Sequence, residues 1–321
     1  MGPQVRNLPT VSLRDAWSPC WPDAVSDNRR AGCAFRLFTL AYEPLARPSL
    51  YTALAGSRSL SRMRWQSHLD PPVVERVVHP LPPNHAALAG TRIVQISDLH
   101  VGRYLRAEQW AAHIARINAL APDLVVITGD AMDWARRYEE DYLEPLSLLA
   151  PRVATLAILG NHDFYFGADR LAAGYRRSKT VRVLRGERWS SDALEGLSVW
   201  GMDDPMTPLA MRSPYRELAS WTHGTLDPRR YNVLLSHRPD AFHVAPSAGF
   251  DLQLSGHTHG GQIVVSPPWG RRYHFASMLG PWDQGTFDAR RSRLYVSRGL
   301  GFAGVPYRRD CPSEITVHEL R

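Results

Sequence analysis

A chain of 321 residues, 44% hydrophobic, can bury a sizeable core as one large or two medium domains. It has no run of 18 uncharged apolar residues, which speaks against a transmembrane helix, and no charged stretch leading into an apolar segment that would mark an export signal. Its 38 basic and 31 acidic residues give a charge of +7, compatible with an anionic substrate or an acidic membrane surface. Cys20, Cys33 and Cys311 are too few for a disulfide framework and favour a reducing compartment.

Residues 1–70 are rich in Pro, Ser and Arg, lack sustained periodicity, and read as an extension preceding a catalytic domain at 71–321. Within the extension Tyr42 to Leu60 reads as a helix interrupted at Pro48. A first strand is expected at Val73–Val78. From Arg92 the order is strand (RIVQIS), helix (Ala107–Leu120), strand (DLVVIT), helix (Tyr138–Leu149), strand (VATLAIL) and helix (Ala168–Arg177). The second half is strand-rich: VRVL, LSVWG, YNVLLS, DLQLS, QIVVS, RLYVS and EITVHE. The expected class is α/β, with two mixed sheets packed face to face and helices outside them.

Five short polar blocks each follow one of these apolar runs: Ser97-Asp98-Leu99-His100, Thr128-Gly129-Asp130, Gly160-Asn161-His162-Asp163, Ser236-His237 and Gly256-His257-Thr258-His259-Gly260-Gly261. Strand ends are where open α/β sheets build sites. Hydrolysis of a phosphate ester needs a strong nucleophile and neutralisation of phosphoryl charge, and two metal ions about 3.5–4 Å apart supply both through a bridging hydroxide. Ions that close need a shared anionic ligand. Asp130 is the bridging candidate, because it ends a buried strand and Gly129 leaves room for close approach. Asp98 and His100 are two apart, as are His257 and His259, so extended backbone would point each pair to one side.

D-x-H, G-D, G-N-H-D, H and G-H-x-H in this order resemble the calcineurin-like metallophosphoesterases, over roughly residues 92–319. The resemblance implies a four-layer α/β/β/α sandwich and two divalent ions. One ion would take Asp98, His100, Asp130 and His259; the other would take Asp130, Asn161, His237 and His257. His162 would stand near the leaving-group oxygen, with Asp163 holding its ring. D-L-H-V-G, S-G-H-T-H-G-G-Q and the closing G-L-G…P-x-R…E-I look like a bacterial subgroup that includes UDP-2,3-diacylglucosamine pyrophosphohydrolases of lipid A synthesis and membrane-associated phosphodiesterases. This N-terminus departs from the membrane-anchored members in lacking a span.

Weaker candidates flank the blocks. Asp204, beside Asp203, could orient a ligand histidine. Arg308, at the P-x-R position, could pair with a phosphate, and Arg103 lies just past His100. The aromatic stretch Trp269, Tyr273, Phe275, Met278, Leu279 and Trp282 suits either acyl chains, a membrane contact or core. His68, His79, His85, His113, His223, His243, His274 and His318 read as surface or core residues.

The functional expectation is a binuclear phosphodiesterase or pyrophosphatase, with a nucleotide-linked lipid such as UDP-2,3-diacylglucosamine as a substrate candidate. A nuclease or cyclic-nucleotide phosphodiesterase on the same centre is the alternative, disfavoured by the lack of a basic, aromatic-interleaved stripe. A non-catalytic metal-binding module is the reading from another class, and the complete ligand set argues against it. Mixed His, Asp and Asn ligands suit Mn, Fe, Zn or Co. The expected location is cytoplasmic, with peripheral contact at the inner face of an anionic membrane.

Overall fold

The computed structural model describes residues 65–133, 135–205, 226–265, 273–278 and 280–321. The helix expected at Tyr42–Leu60 and most of the Arg-rich extension lie outside the described residues. In chain order the strands are β1 (Trp65–Ser67), β2 (Val73–His79), β3 (Arg92–Ile96), β4 (Leu124–Thr128), β5 (Ala154–Ile158), β6 (Val181–Val183), β7 (Glu187–Trp189), β8 (Leu197–Gly201), β9 (Tyr231–Leu235), β10 (Leu252–Ser255), β11 (Gly285–Ala289), β12 (Ser292–Val296), β13 (Tyr307–Arg309) and β14 (Glu314–Leu320). The helices are α1 (Ala107–Ala119), α2 (Glu139–Leu143), α3 (Asn161–Phe166), α4 (Ala168–Ser178) and α5 (Ala245–Ala248).

Alternation along the strands builds the layers. In β3 and β4, Val94, Ile96, Val125 and Ile127 pack with Trp110, Ile114 and Ile117 of α1 and Tyr175 of α4. Their neighbours Ile93, Leu124 and Val126 turn to the opposite face. There they meet Leu197 and Val199 of β8, Val233 and Leu235 of β9 and Leu252 and Leu254 of β10. The far face of the second sheet carries Trp200, Leu234, Leu294 and Val296 against Phe242, Ala245 and Phe250. Side chains of period two thus place an apolar layer on each side of each sheet, giving the α/β/β/α order.

The first sheet runs β2-β14-β3-β4-β5-β6 and the second β11-β12-β10-β9-β8-β7. Strands β3 to β6 are mutually parallel, as are β8, β9, β10 and β12. The C-terminal strand β14 crosses back into the first sheet, antiparallel to β3 and parallel to β2.

Three expectations need correction. The helix read over Tyr138–Leu149 is broken into α2 and a 3-10 turn at Pro145–Leu148, because Pro145 has no N–H to continue the ladder. Among the described residues QIVVS makes single bridges, Ile263 to Arg309 and Val265 to Tyr273; Gly260, Gly261 and Gln262, all at positive φ, turn the chain at its start. The folded unit also begins before residue 71, since β1 pairs antiparallel with β13. Among the described residues no helix is long and apolar enough to cross a membrane.

Candidate metal centre

The five polar blocks converge at the C-terminal ends of β3, β4, β5, β9 and β10. Main-chain bonds lace the first two together: Asp98 N–H donates to Gly129 O at 3.0 Å, His100 N–H to Asp130 O at 3.1 Å and Val101 N–H to Ala131 O at 3.0 Å. Asp98, His100, Asp130, His257 and His259 all lie at φ between 45° and 72°. The expectation of extended backbone at D-x-H and H-x-H is therefore wrong. Left-handed turns, which cost an L-residue energy and cluster at functional sites, aim these side chains instead. Gly129, at φ 92°, cannot carry a side chain: a Cβ there would stand 2.7 Å from Gly160 N and from His237 Nδ1.

Two clusters of ligand atoms result, Asp98 with His100 and His259, and Asp130 with His237 and His257. His100 Nε2 and His259 Nε2 are 3.1 Å apart, and His259 Nε2 is 3.5 Å from Asp98 Oδ1. In the other half, His237 Nε2 lies 3.2 Å from Asp130 Oδ2, 3.2 Å from Asn161 Oδ1 and 3.3 Å from His257 Nδ1. Asp130 Oδ2 is also 3.8 Å from His100 Nε2. All seven expected ligands are thus brought together.

The chemistry of this donor set fits cations. His237 Nδ1 is 2.8 Å from Thr128 O; a carbonyl only accepts, so Nδ1 donates and Nε2 is the nitrogen that would give its lone pair to an ion, once its own proton is displaced. Burial pushes the Asp98 carboxyl up to about 6, with Asp130 adding repulsion. Asp163 is raised to about 7 by burial and then by Asp130. Burial opposes charge on His237, but the Asp130 carboxylate outweighs it and lifts that imidazole to about 10. Burial would also raise Asp130; the neighbouring His237 and His162 hold it well below the carboxylate range. His100 falls to about 3, chiefly through burial. A buried Asp98 carboxyl pushed upward, beside imidazoles of His100, His257 and His259 that burial holds in the neutral, lone-pair-bearing form, is a donor set that dications would stabilise.

His162 sits on the rim, its ring edge-on to His100 at 4.6 Å and to Tyr165 at 5.7 Å. Asp163 does not hold that ring. Its Oδ1 accepts from Ala131 N and Met132 N at 3.0 and 3.2 Å, and its Oδ2 from Gly160 N at 2.8 Å. Successive helical residues do not face each other, so the carboxylate stitches two ligand loops together. The acid grouped with His100 and His162 is Asp133, missed in the sequence although it stands three residues after Asp130.

Arg308 is also not a phosphate contact. It is fully buried, and its guanidinium donates to the carbonyls of His259, Gly299 and Gly301. Asp204 is buried and accepts from Arg238 Nε at 2.7 Å, one residue along the chain from the ligand candidate His237. Arg103 is exposed on the turn beyond Gly102. Of the histidines read as structural, His79 and His318 are buried and share a 2.9 Å contact between Nε2 and Nδ1, His274 pairs with Asp283, and His223 lies outside the described residues. Tyr273 is exposed and Trp282 packs edge-on to Phe242 and His243; Trp269 and Leu279 are outside the described residues.

Residues 91–261 match the calcineurin-like phosphoesterase family. The chain is 30% identical over 267 residues to an uncharacterized metallophosphoesterase of Bacillus subtilis, YkuE, covering 79% of this chain and 88% of that protein. It is 29% identical over 231 residues to an uncharacterized metallophosphoesterase of Campylobacter jejuni (72% of this chain, 59% of that protein). A bovine "transmembrane protein with metallophosphoesterase domain" is 29% identical over 301 residues, covering 89% of this chain and 65% of its own length. The chain thus spans under two thirds of the latter two. The chain belongs to the calcineurin-like phosphoesterase family and is a metal-dependent phosphoester hydrolase.

Proposed function

We propose that the chain binds two divalent ions and hydrolyses a phosphodiester or pyrophosphate bond. The observation that carries this reading is Asp130, whose Oδ2 faces a ring nitrogen of each ligand cluster, 3.2 Å from His237 and 3.8 Å from His100. Asp98, His100, Asp130 and His259 would hold one ion; Asp130, Asn161, His237 and His257 would hold the other. When bound, such ions lower the pKa of a coordinated water and neutralise phosphoryl oxygens.

The chain's own residues supply the remainder. Asp163 fixes the amides of residues 131, 132 and 160, keeping the ligand loops in register. His162, on the rim, donates a proton to the departing oxygen, and Asp133 orients it. A nucleotide-linked lipid such as UDP-2,3-diacylglucosamine is the proposed substrate type, supported by the sequence resemblance and by the membrane-associated name of one relative. The proposal extends to reversible contact with an anionic membrane.

The test is a panel on Mn-loaded protein: an aryl monoester, a bis-aryl diester, cyclic nucleotides, single-stranded DNA and UDP-diacylglucosamine. Turnover of the diester and the lipid pyrophosphate, with little on the monoester, is the expected result. Preference for single-stranded DNA or a cyclic nucleotide would overturn the substrate assignment.

A further inference from the structure

The G-L-G…P-x-R segment has no part in the ligand set, yet it forms the floor of one half of the centre. Leu300 N–H donates to Ser97 O at 2.8 Å and Gly301 N–H to Asp98 O at 2.9 Å, so this loop lies directly under the Asp98–His100 turn. A side chain at Gly301 would collide with Leu99 O, and a Cβ at Gly299 would stand 2.8 Å from Asp98 Cβ. Arg308 reaches the same loop from β13. Its Nη2 donates to Gly301 O at 2.7 Å and to Gly299 O at 3.2 Å, and its Nε to Gly301 O at 3.2 Å. The other arm of the fork, Nη1, donates to His259 O at 3.2 Å. Contact with the His259 ring is longer, 3.4 Å to Nδ1, so the carbonyl bears the connection. Cys311 adds a second donor there, its Sγ lying 3.2 Å from His259 O and 3.3 Å from Gly260 O.

We infer that Arg308 is a positioning residue for the ion held by Asp98, His100 and His259. Its planar fork clamps the loop beneath Asp98 to the main chain of His259 and so sets the separation of these ligands. The other half of the centre, Asn161, His237 and His257, has no such tie to Arg308. The consequence is asymmetric: losing the fork weakens one ion and spares the other. Lysine cannot replace the arginine, because a point charge has no rigid fork with which to hold three carbonyls.

The inference rests on the two-ion reading, and Mn²⁺ titration of ion-free protein, followed by calorimetry and by the exchange-coupled signal of paired Mn²⁺, separates the two. R308K and R308M should each weaken one Mn²⁺ by about 10–100-fold, the usual effect of removing a partner that orients a ligand, and abolish the coupled signal while the other ion binds as in the wild type. Asn161→Ala should remove the complementary ion, so R308K combined with N161A should bind none at concentrations that fill one position in either single variant. Cys311→Ala, a small change that leaves the fork in place, should weaken the same ion as R308K by a lesser factor. It carries the test if the Arg308 variants do not fold, with unchanged affinity then counting against the clamp. A purely structural arginine would lower Tm and weaken both ions alike; that result, two ions of wild-type affinity in R308K, or one ion retained in the double variant, would overturn the inference. A wild-type protein that takes up a single Mn²⁺ would instead overturn the two-ion reading beneath it.

Discussion

Asp130 divides its carboxylate between the ligand cluster and His162: Oδ1 accepts the main-chain N–H of His162 at 2.8 Å, while Oδ2 lies 3.2 Å from His237 Nε2. One residue thus joins the proposed shared ligand position to the start of α3. Asp130→Asn should release both ions together, since it weakens the bridge and exchanges an acceptor for a mixed donor and acceptor. Elemental analysis after reconstitution is the check, and retention of one tightly bound ion would show that Asp130 serves a single position.

His162 and Asp133 should behave as a unit. His162→Ala is expected to keep the metal while turnover falls about 10²–10⁴-fold, the range for a lost general acid. The loss should shrink for esters with very acidic leaving groups, which need no proton. Asp133→Asn should act in the same direction, and the double variant should be little worse than His162→Ala alone, as expected of residues in one chain of action. Additive losses would separate the two.

Much of this centre was legible because each ligand block follows an apolar run, and parallel strands in a sandwich end on one side. Asp98, His100, Asp130, Asn161, His237, His257 and His259 could be placed together on that ground. What could not be read was how the backbone delivers them. The positive φ of Asp98, His100, Asp130, His257 and His259 has no glycine to announce it, and is forced by tertiary contacts such as Asp98 N–H on Gly129 O. Arg308 misled because an arginine near a phosphate motif reads as an anion contact, whereas its acceptors are carbonyls of residues 259, 299 and 301, and of these only a folded structure brings residue 259 near. Asp133 was hidden in a loop whose ladder contact, among the described residues, is the bridge between Met132 and Val101.

Protons and metal ions should compete for the centre in a definite direction. In ion-free protein Asp163 is raised to about 7 by burial and by Asp130, and His237 reaches about 10 because the Asp130 carboxylate outweighs burial. Both folded values lie above the unfolded ones, so the folded state holds extra protons and loses stability as pH rises through this range. The histidines lowered by burial, among them His79, His100, His113, His257, His259 and His318, are neutral when folded and gain protons on unfolding near 6.5, so they offset part of this fall at the lower end of the range and little of it at the upper end. Between pH 6.5 and 8.5 the Tm of chelator-treated protein should therefore fall, by several degrees if about one proton is involved at about 1.4 kcal/mol per pH unit. Mn²⁺, which displaces those protons, should raise Tm more at pH 8.5 than at 6.5. A Tm increment independent of pH would mean that these groups are not proton-linked to ion binding.

Two shortened chains distinguish the role of the N-terminal segment from that of β1. A chain beginning at residue 65 retains every ligand, His162 and Asp133, and is expected to hydrolyse a bis-aryl diester at the full-length rate. Because residues 1–64 carry Trp17, Trp21 and most of the excess arginine of the first 90 residues, this chain should bind anionic vesicles less well than the full-length protein. The full-length binding should itself weaken with added salt, as expected of a screened surface contact. A full-length chain that ignores such vesicles at low salt would sink the membrane proposal. Starting at Asp70 is a different experiment, because it also removes β1. Gln66 pairs with Arg308 across β1 and β13, donates to Ser313 Oγ at 3.0 Å and accepts from Ser313 N–H at 2.6 Å. His68 N–H donates to Pro306 O at 3.1 Å, and Arg309 lies over the Trp65 ring at 5.6 Å. Each buried hydrogen bond is worth about 1 kcal/mol, and the strand they hold carries Arg308. The chain beginning at Asp70 should therefore melt lower than the one beginning at residue 65 and weaken the same Mn²⁺ that R308K weakens. Equal Tm and equal metal affinity in the two chains would show that β1 contributes nothing to the floor of the centre.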